Sequence, residues 1–212
     1  MTASRLIIPL ELKPITPFIR RSEDLILHSN DVNSKIVAYH CRKYAAQLGI
    51  QILSSSFPKE QHHEERIVFS KKILFQIVKS LEMEKKTIPS HTKEEYHAIC
   101  QHFALEVFDK ADIEEQSGHA TKETAKKFHA AATFLKMLDQ FDYDIRNGSH
   151  EQRNECETLE ENHFHLIDDY HIKQKWKYAR WKTVDILKTD RIRMQRRLQH
   201  GKRQQLYMKI ST

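Results

Sequence analysis

Apolar residues along this chain recur at intervals of three and four, which is the spacing of one face of an α-helix. The clearest series lies between Thr92 and Gly118. Its apolar positions are Tyr96, Ile99, Cys100, Phe103, Ala104, Val107, Phe108 and Ala111. Thr92 and Glu95 form a capping box at the start, because each side chain can accept a backbone N–H of the other residue. Gly118 suits the left-handed conformation that often follows a helix.

Similar series predict the other helices. We expect one from Pro14 toward His28, one over Ser34–Gln51, one that follows a loop at Ser54–Pro58 and runs to about Lys86, one over Lys122–Phe141, and one from Ile172. No segment alternates with period two for long enough to be a strand. The 212 residues include only four glycines and five prolines, too few for the frequent turns of a β-fold. The sequence therefore predicts an all-α protein of about seven helices.

Charge is distributed unevenly along the chain. The formal net charge is +6, but residues 173–212 contain thirteen Lys or Arg and two Asp or Glu, so this end carries +11 and the rest −5. Residues 142–171 contain nine acidic and two basic residues, which predicts a solvated acidic loop. No apolar run approaches the ~18 residues of a membrane-spanning helix, and the N-terminus lacks the apolar region of a signal peptide. We expect a cytoplasmic protein.

Residues that could carry chemistry do not form a known catalytic pattern. His163 and His165 are two positions apart and cannot share a helix face, and neither HExxH nor paired CxxC spacing occurs. No serine elbow, P-loop or glycine-rich dinucleotide loop is present. The three cysteines, Cys41, Cys100 and Cys156, suit thiols in a reducing compartment. We therefore predict no catalytic residues, no metal site, no cofactor and no enzymatic activity.

Two segments, Val37–Ala45 and Lys177–Thr183, combine aromatic, small and basic residues on predicted helices. A helix of this kind can pack one side into a bundle and offer the other to a partner. The candidate partner-binding residues are Tyr39, Arg42, Lys177, Tyr178, Arg180, Trp181 and Lys182. This pattern favours a binding scaffold. The basic stretch 191–203 leaves other interpretations open: nucleic-acid binding through phosphates, contact with an anionic membrane, or a merely soluble end.

Four segments in order, Val37–Ala45, Phe103–Asp112, Lys126–Ala131 and Lys177–Lys182, resemble the N-terminal region of the Vta/LIP family. Proteins of this family are cofactors of the vacuolar-protein-sorting AAA ATPase in the ESCRT pathway. The resemblance covers roughly residues 9–188. It implies two tandem MIT-like three-helix modules that bind C-terminal helices of ESCRT-III subunits at endosomes, during multivesicular-body formation.

On this resemblance the first module spans residues 9–86 and the second 90–188, with the acidic insertion 142–171 inside the second and a basic tail at 189–212. The AAA ATPase and the peripheral endosomal membrane are further expected partners, whereas nucleic acid is not favoured. Ser34-Lys35 replaces the family's Asp-Pro before the second helix. The family's proline-rich linker and dimerising C-terminal domain have no counterpart after Lys188, so we expect a monomer that does not stimulate the ATPase. A truncated competitor of the full-length cofactor is the alternative.

Overall fold

The computed structural model of the chain describes residues 5–55, 64–141 and 159–210. Within these ranges it contains a short 3₁₀ helix and six α-helices, with no strand, so the predicted all-α fold is confirmed. The 3₁₀ helix, η1, spans Leu10–Ile15, and the α-helices are α1 (Thr16–His28), α2 (Val32–Ser55), α3 (Glu64–Lys85), α4 (Lys93–Gln116), α5 (Lys122–Met137) and α6 (Leu159–Ile210). None of these helices combines the length and apolar character needed to cross a membrane.

Both ends of α4 follow the predicted capping chemistry. The Thr92 N–H donates to Glu95 Oε2 at 2.8 Å, and the Glu95 N–H donates to Thr92 Oγ1 at 3.2 Å. Gly118 has φ +77°, a conformation that residues with a Cβ rarely adopt. The predicted start and end of this helix are therefore confirmed.

The prediction for the acidic stretch 142–171 was partly wrong. We expected a loop until Ile172, but α6 begins at Leu159; residues 142–158 lie outside the described ranges. The physical reason is local. Residues 159–172 contain neither Gly nor Pro, the two residues that disfavour a helix interior most strongly. A smaller difference occurs at Ser54, which we expected in a loop and which lies in the last turn of α2.

The described residues form two compact units, and α4 and α5 contribute to both. The first unit comprises the described residues within Met1–Ala104 and Thr133–Glu157, and the second those within Leu105–Ala132 and Thr158–Thr212. The division into modules 9–86 and 90–188 stays a prediction.

In the first unit α2 is the central helix and packs against η1, α1 and α3. Its buried side chains occupy several faces of the helix, which is typical of a helix enclosed by others. They are Ser34, Ile36, Val37, Ala38, His40, Cys41, Ala45, Ala46 and Leu53. Gly49 allows α3 to approach closely, since a Cβ there would lie 2.5 Å from Leu74 Cδ2.

In the second unit, the first part of α5 and the second part of α4 pack with α6 around three rings. The centroids of Phe108, Phe128 and Tyr178 lie 5.9–6.0 Å from one another. Small residues within three positions of these rings in sequence are almost fully buried, and their size lets helices approach closely. They are Ala111, Ala125, Ala131 and Ala179.

Candidate functional site

The predicted residues 177–182 lie on α6, where the core of the second unit fixes the helix. Ala179 is fully buried, and Ile186, two turns further on, is also buried. Tyr178 directs its ring toward Phe108 and Phe128. Burial, the largest cause, raises the pKa of the Tyr178 hydroxyl, so it is neutral at physiological pH. Tyr178 therefore anchors α6 to α4 and α5.

Lys182 also serves this attachment. Its side chain is only 12% exposed and forms an ion pair with Glu115 of α4. The hydrogen bond to Glu115 raises the pKa of Lys182 above its ordinary value. Its Nζ lies 5.0 Å from the centroid of the Trp181 ring. Further along the same edge, Lys175 pairs with Asp109 at 3.3 Å and lies 4.3 Å from the centroid of the Phe108 ring. These cations hold α6 against α4.

The outward side of α6 has a different composition. Trp181 is 57% exposed, and Val184 and Leu187, spaced three residues apart after it, are also exposed. Lys177 and Arg180 are exposed beside them, and the Arg180 guanidinium carbon lies 4.9 Å from the Trp176 ring centroid. We call Lys177, Arg180, Trp181, Val184 and Leu187 the α6 surface.

The α6 surface joins an aromatic side chain to two aliphatic ones and borders them with cations. Aromatic residues with adjacent Arg are common anchors of protein interfaces. Apolar positions at helical spacing fit the apolar face of another helix, and the cations favour one with acidic flanks. Val184 and Leu187 were not among the predicted site residues, because the motif identified in the sequence ends at Thr183. Their spacing from Trp181 was the available signal.

Tyr39 and Arg42, the other two predicted site residues, belong to the first unit. Tyr39 is half-buried, and its ring meets that of His40 edge-on with centroids 5.3 Å apart. The Arg42 side chain is 13% exposed, pairs with Glu84 of α3, and donates to Ser80 Oγ at 3.3 Å. Arg42 therefore joins α2 to α3, whereas Lys177, Tyr178, Arg180, Trp181 and Lys182 are near one another on α6.

The thiols of the described cysteines are enclosed. Cys41 and Cys100 are free and buried, and Cys41 Sγ lies 3.4 Å from Met137 Sδ. Burial raises the pKa of both thiols, to about 12 for Cys100, which suppresses the reactive thiolate. Among the residues with described side chains, no group of three or more His, Cys, Asp or Glu could hold a metal ion. Cys156 and the side chains of His163 and His165 lie outside that set.

Comparison with known proteins supplies a family for this arrangement. Residues 14–191 match the model of a family described as Vta1 like. An Arabidopsis thaliana protein named homolog of mammalian LYST-interacting protein 5 is 31% identical over 176 residues, which are 83% of this chain and 32% of that protein. Vacuolar protein sorting-associated protein VTA1 homologs are 28% identical in Dictyostelium discoideum (84% of this chain, 26% of that protein) and 26% identical in Mus musculus (84% and 46%). The chain thus spans about a quarter to a half of the length of these relatives.

Proposed function

Because the chain belongs to the Vta1-like family, we propose that it acts in vacuolar protein sorting as a non-enzymatic adaptor. In this proposal it binds C-terminal helices of ESCRT-III subunits through the α6 surface. The observation that carries the proposal is the exposure of Trp181 beside the exposed Arg180 and Lys177, on a helix already fixed to the core by Tyr178 and Ala179. A partner helix could bind there without breaking the core of the second unit.

The chemistry of the α6 surface agrees with partners of this class. An amphipathic helix can place its apolar residues on Trp181, Val184 and Leu187 and its acidic residues beside Lys177 and Arg180. Exposed cations mainly increase the rate of association and its dependence on salt, whereas the aromatic anchor contributes most of the affinity. The two predicted MIT-like modules, residues 9–86 and 90–188, belong to the same proposal. Each would be a helical hairpin packed with a third helix.

Two further partners complete the proposal. One is the vacuolar-protein-sorting AAA ATPase, of which proteins of the resembled family are cofactors. Because we expect no direct stimulation, this chain would influence the ATPase by competing with a full-length cofactor for ESCRT-III helices. The other is the endosomal membrane, and peripheral recruitment to it is supported by the second half of α6, where Arg191, Arg193 and Arg196 are exposed. Each Lys or Arg near an anionic leaflet contributes roughly 1 kcal/mol of attraction.

Calorimetric titration of the chain with the C-terminal helix of each ESCRT-III subunit tests the proposal. At least one helix should bind, and the double variant Trp181→Ala, Arg180→Glu should weaken that binding by at least tenfold, since an interface anchor contributes ~2 kcal/mol or more. Lys122→Glu at the exposed start of α5 is the control for charge reversal. A double variant with wild-type helicity and wild-type affinity would exclude the α6 surface as the site.

A further inference from the structure

We propose that the outward face of α3 in the first unit binds the surface of an anionic lipid membrane. On this face Phe75 enters the interfacial layer of the bilayer, and Lys71, Lys72 and Lys79 contact acidic headgroups. We call these four residues, together with Val68, the α3 surface. The inference extends the membrane contact of the proposed function to a second surface, and it depends neither on α6 nor on the binding of ESCRT-III helices.

The α3 surface is apolar at positions where the helix faces solvent. Phe75 is 69% exposed and Val68 is 65% exposed, whereas Ile73 and Ile77 on the other side of α3 are buried in the core. Phe75 and Val68 are seven residues apart in sequence, which is about two helical turns or roughly 10 Å along the axis. They therefore lie on one side of α3, and both are available to a partner outside the unit.

The charge around Phe75 is entirely positive. Lys71, Lys72 and Lys79 are exposed and lie three or four residues from Phe75, so they are its neighbours on the helix surface. Residues 67–80 contain these three lysines and neither Asp nor Glu. Within the part of the chain that the structure describes, no ion pair involves any of the three. Their charges are therefore available to an acidic partner.

The shape of the α3 surface favours a membrane over a partner helix. An amphipathic partner helix binds in a groove, whereas Phe75 and Val68 stand on the outward ridge of a single helix and line neither of two cavities that border α3. A bilayer is broad enough to meet all three lysines at once. Its headgroups supply the negative charge that the α3 surface lacks.

The residue types of the α3 surface suit the boundary between headgroups and acyl chains. Phenylalanine is common on the buried face of helices that lie in this boundary. Lysine can lay its aliphatic stem beside an apolar ring while its ammonium group reaches the phosphates. Each Lys near an anionic leaflet strengthens binding by about fivefold. Three lysines and one inserted ring are therefore sufficient for reversible attachment.

Co-sedimentation of the full chain with lipid vesicles tests the proposal. The wild type should bind vesicles with about 30 mol% phosphatidylserine but not vesicles of phosphatidylcholine alone, and added salt should weaken this binding. The double variant Lys71→Glu, Lys72→Glu should weaken it roughly tenfold or more. The matched control is Lys122→Glu, Lys126→Glu on α5, which changes the net charge equally at exposed positions and should bind like the wild type.

The role of the ring is tested separately. Phe75→Ala should weaken vesicle binding severalfold, and Ile113→Ala on α4 is its control, because Ile113 is also 69% exposed. Combining Phe75→Trp with Trp176→Phe and Trp181→Phe leaves one tryptophan, on the α3 surface. Its emission should shift to the blue on anionic vesicles and be quenched by brominated lipids.

Two comparisons separate the α3 surface from the other proposed contacts. The effect of Lys71→Glu, Lys72→Glu should persist when Arg191, Arg193 and Arg196 are all changed to Glu, and this α3 variant should bind ESCRT-III helices like the wild type. Unchanged vesicle binding by the α3 variant, with wild-type circular dichroism, would overturn the proposal, as would a wild type that does not bind anionic vesicles. An α3 variant that keeps vesicle binding but loses helix binding would overturn it too, because the surface would then bind an acidic peptide.

Discussion

Segments 37–45 of α2 and 177–183 of α6 have similar compositions but different surroundings. Around 37–45, α1, α3 and η1 pack on α2, and the ring of His40 lies near those of Tyr96 and Phe141. In α6 the core contacts one side of the helix, and Trp181 on another side is 57% exposed. The arginines of the two segments differ in the same way. Arg42 of α2 pairs with Glu84 inside the first unit, whereas Arg180 of α6 lies over Trp176 at the surface.

The difference teaches that composition alone does not separate a partner-binding helix from a core helix. What separates them is the number of helices that pack around each segment. A central helix buries its aromatic and basic residues within its own unit, where they need internal partners. A helix at the edge of a unit leaves one side available. The predictions below test this distinction residue by residue.

The largest effect on stability is expected inside the second unit. Two aromatic residues one turn apart on α6 should differ in how much they contribute to the free energy of unfolding. Tyr178→Ala removes a ring packed on Phe108 and Phe128 and should lower the free energy of unfolding by about 3 kcal/mol. Trp181→Ala removes an exposed ring and should cost less than about 1 kcal/mol. Urea denaturation followed by circular dichroism measures both. Equal losses for the two variants would mean that Trp181 also belongs to the core.

Acid should destabilise the first unit through His40. Burial is the main reason that the pKa of His40 falls to about 4; the hydrogen bond with Gln140 opposes this shift and Lys43 adds to it. The His40 Nε2 is buried without a partner. The unfolded chain therefore takes up this proton below about pH 6.5, whereas the folded chain does so only near pH 4, and stability is lost as pH falls between these values.

The loss attributable to His40 should reach about 2.5 kcal/mol at pH 4.5 relative to pH 7. His40→Gln should remove that part of the pH dependence, and the same substitution at the exposed His102 is the control. Denaturation curves at the two pH values give the comparison. A His40→Gln protein that loses as much stability in acid as the wild type would show that His40 is not responsible.

Arg42 and Arg180 should also differ in how much they contribute to the free energy of unfolding, by a smaller amount. Arg42→Ala removes the ion pair with Glu84 and the hydrogen bond to Ser80 from a side chain with little solvent access, and should cost about 2 kcal/mol. Arg180→Ala should change stability by less than about 0.5 kcal/mol. Thermal unfolding of both variants tests this, and a Glu84→Ala, Arg42→Ala cycle isolates the pair. A negligible loss for Arg42→Ala would place Arg42 with the surface residues.

Rules that involve only residues close together in sequence were sufficient to predict most of the helices. The capping of α4 involves only neighbouring residues at each end, Thr92 with Glu95 at the start and Gly118 after the last turn. These roles could therefore be predicted from sequence. Tyr39 and Arg42 could not be placed in this way, because their surroundings depend on contacts with Glu84 and other residues distant in sequence. For α6, the acidic composition of 159–171 suggested a loop, but a stretch without Gly or Pro is compatible with a helix, and α6 begins at Leu159.

The central claim is that α6 presents its surface to a partner helix, and the chain's own tryptophans test it most directly. Trp176 and Trp181 are the only two tryptophans, and both lie on α6, so intrinsic fluorescence reports on this helix without a label. Titration with the C-terminal helix of each ESCRT-III subunit should shift the emission to the blue for at least one of them, and Trp181→Phe should remove most of that shift. A helix that binds with no change in tryptophan emission, or with an equal change in Trp181→Phe, would contradict the account.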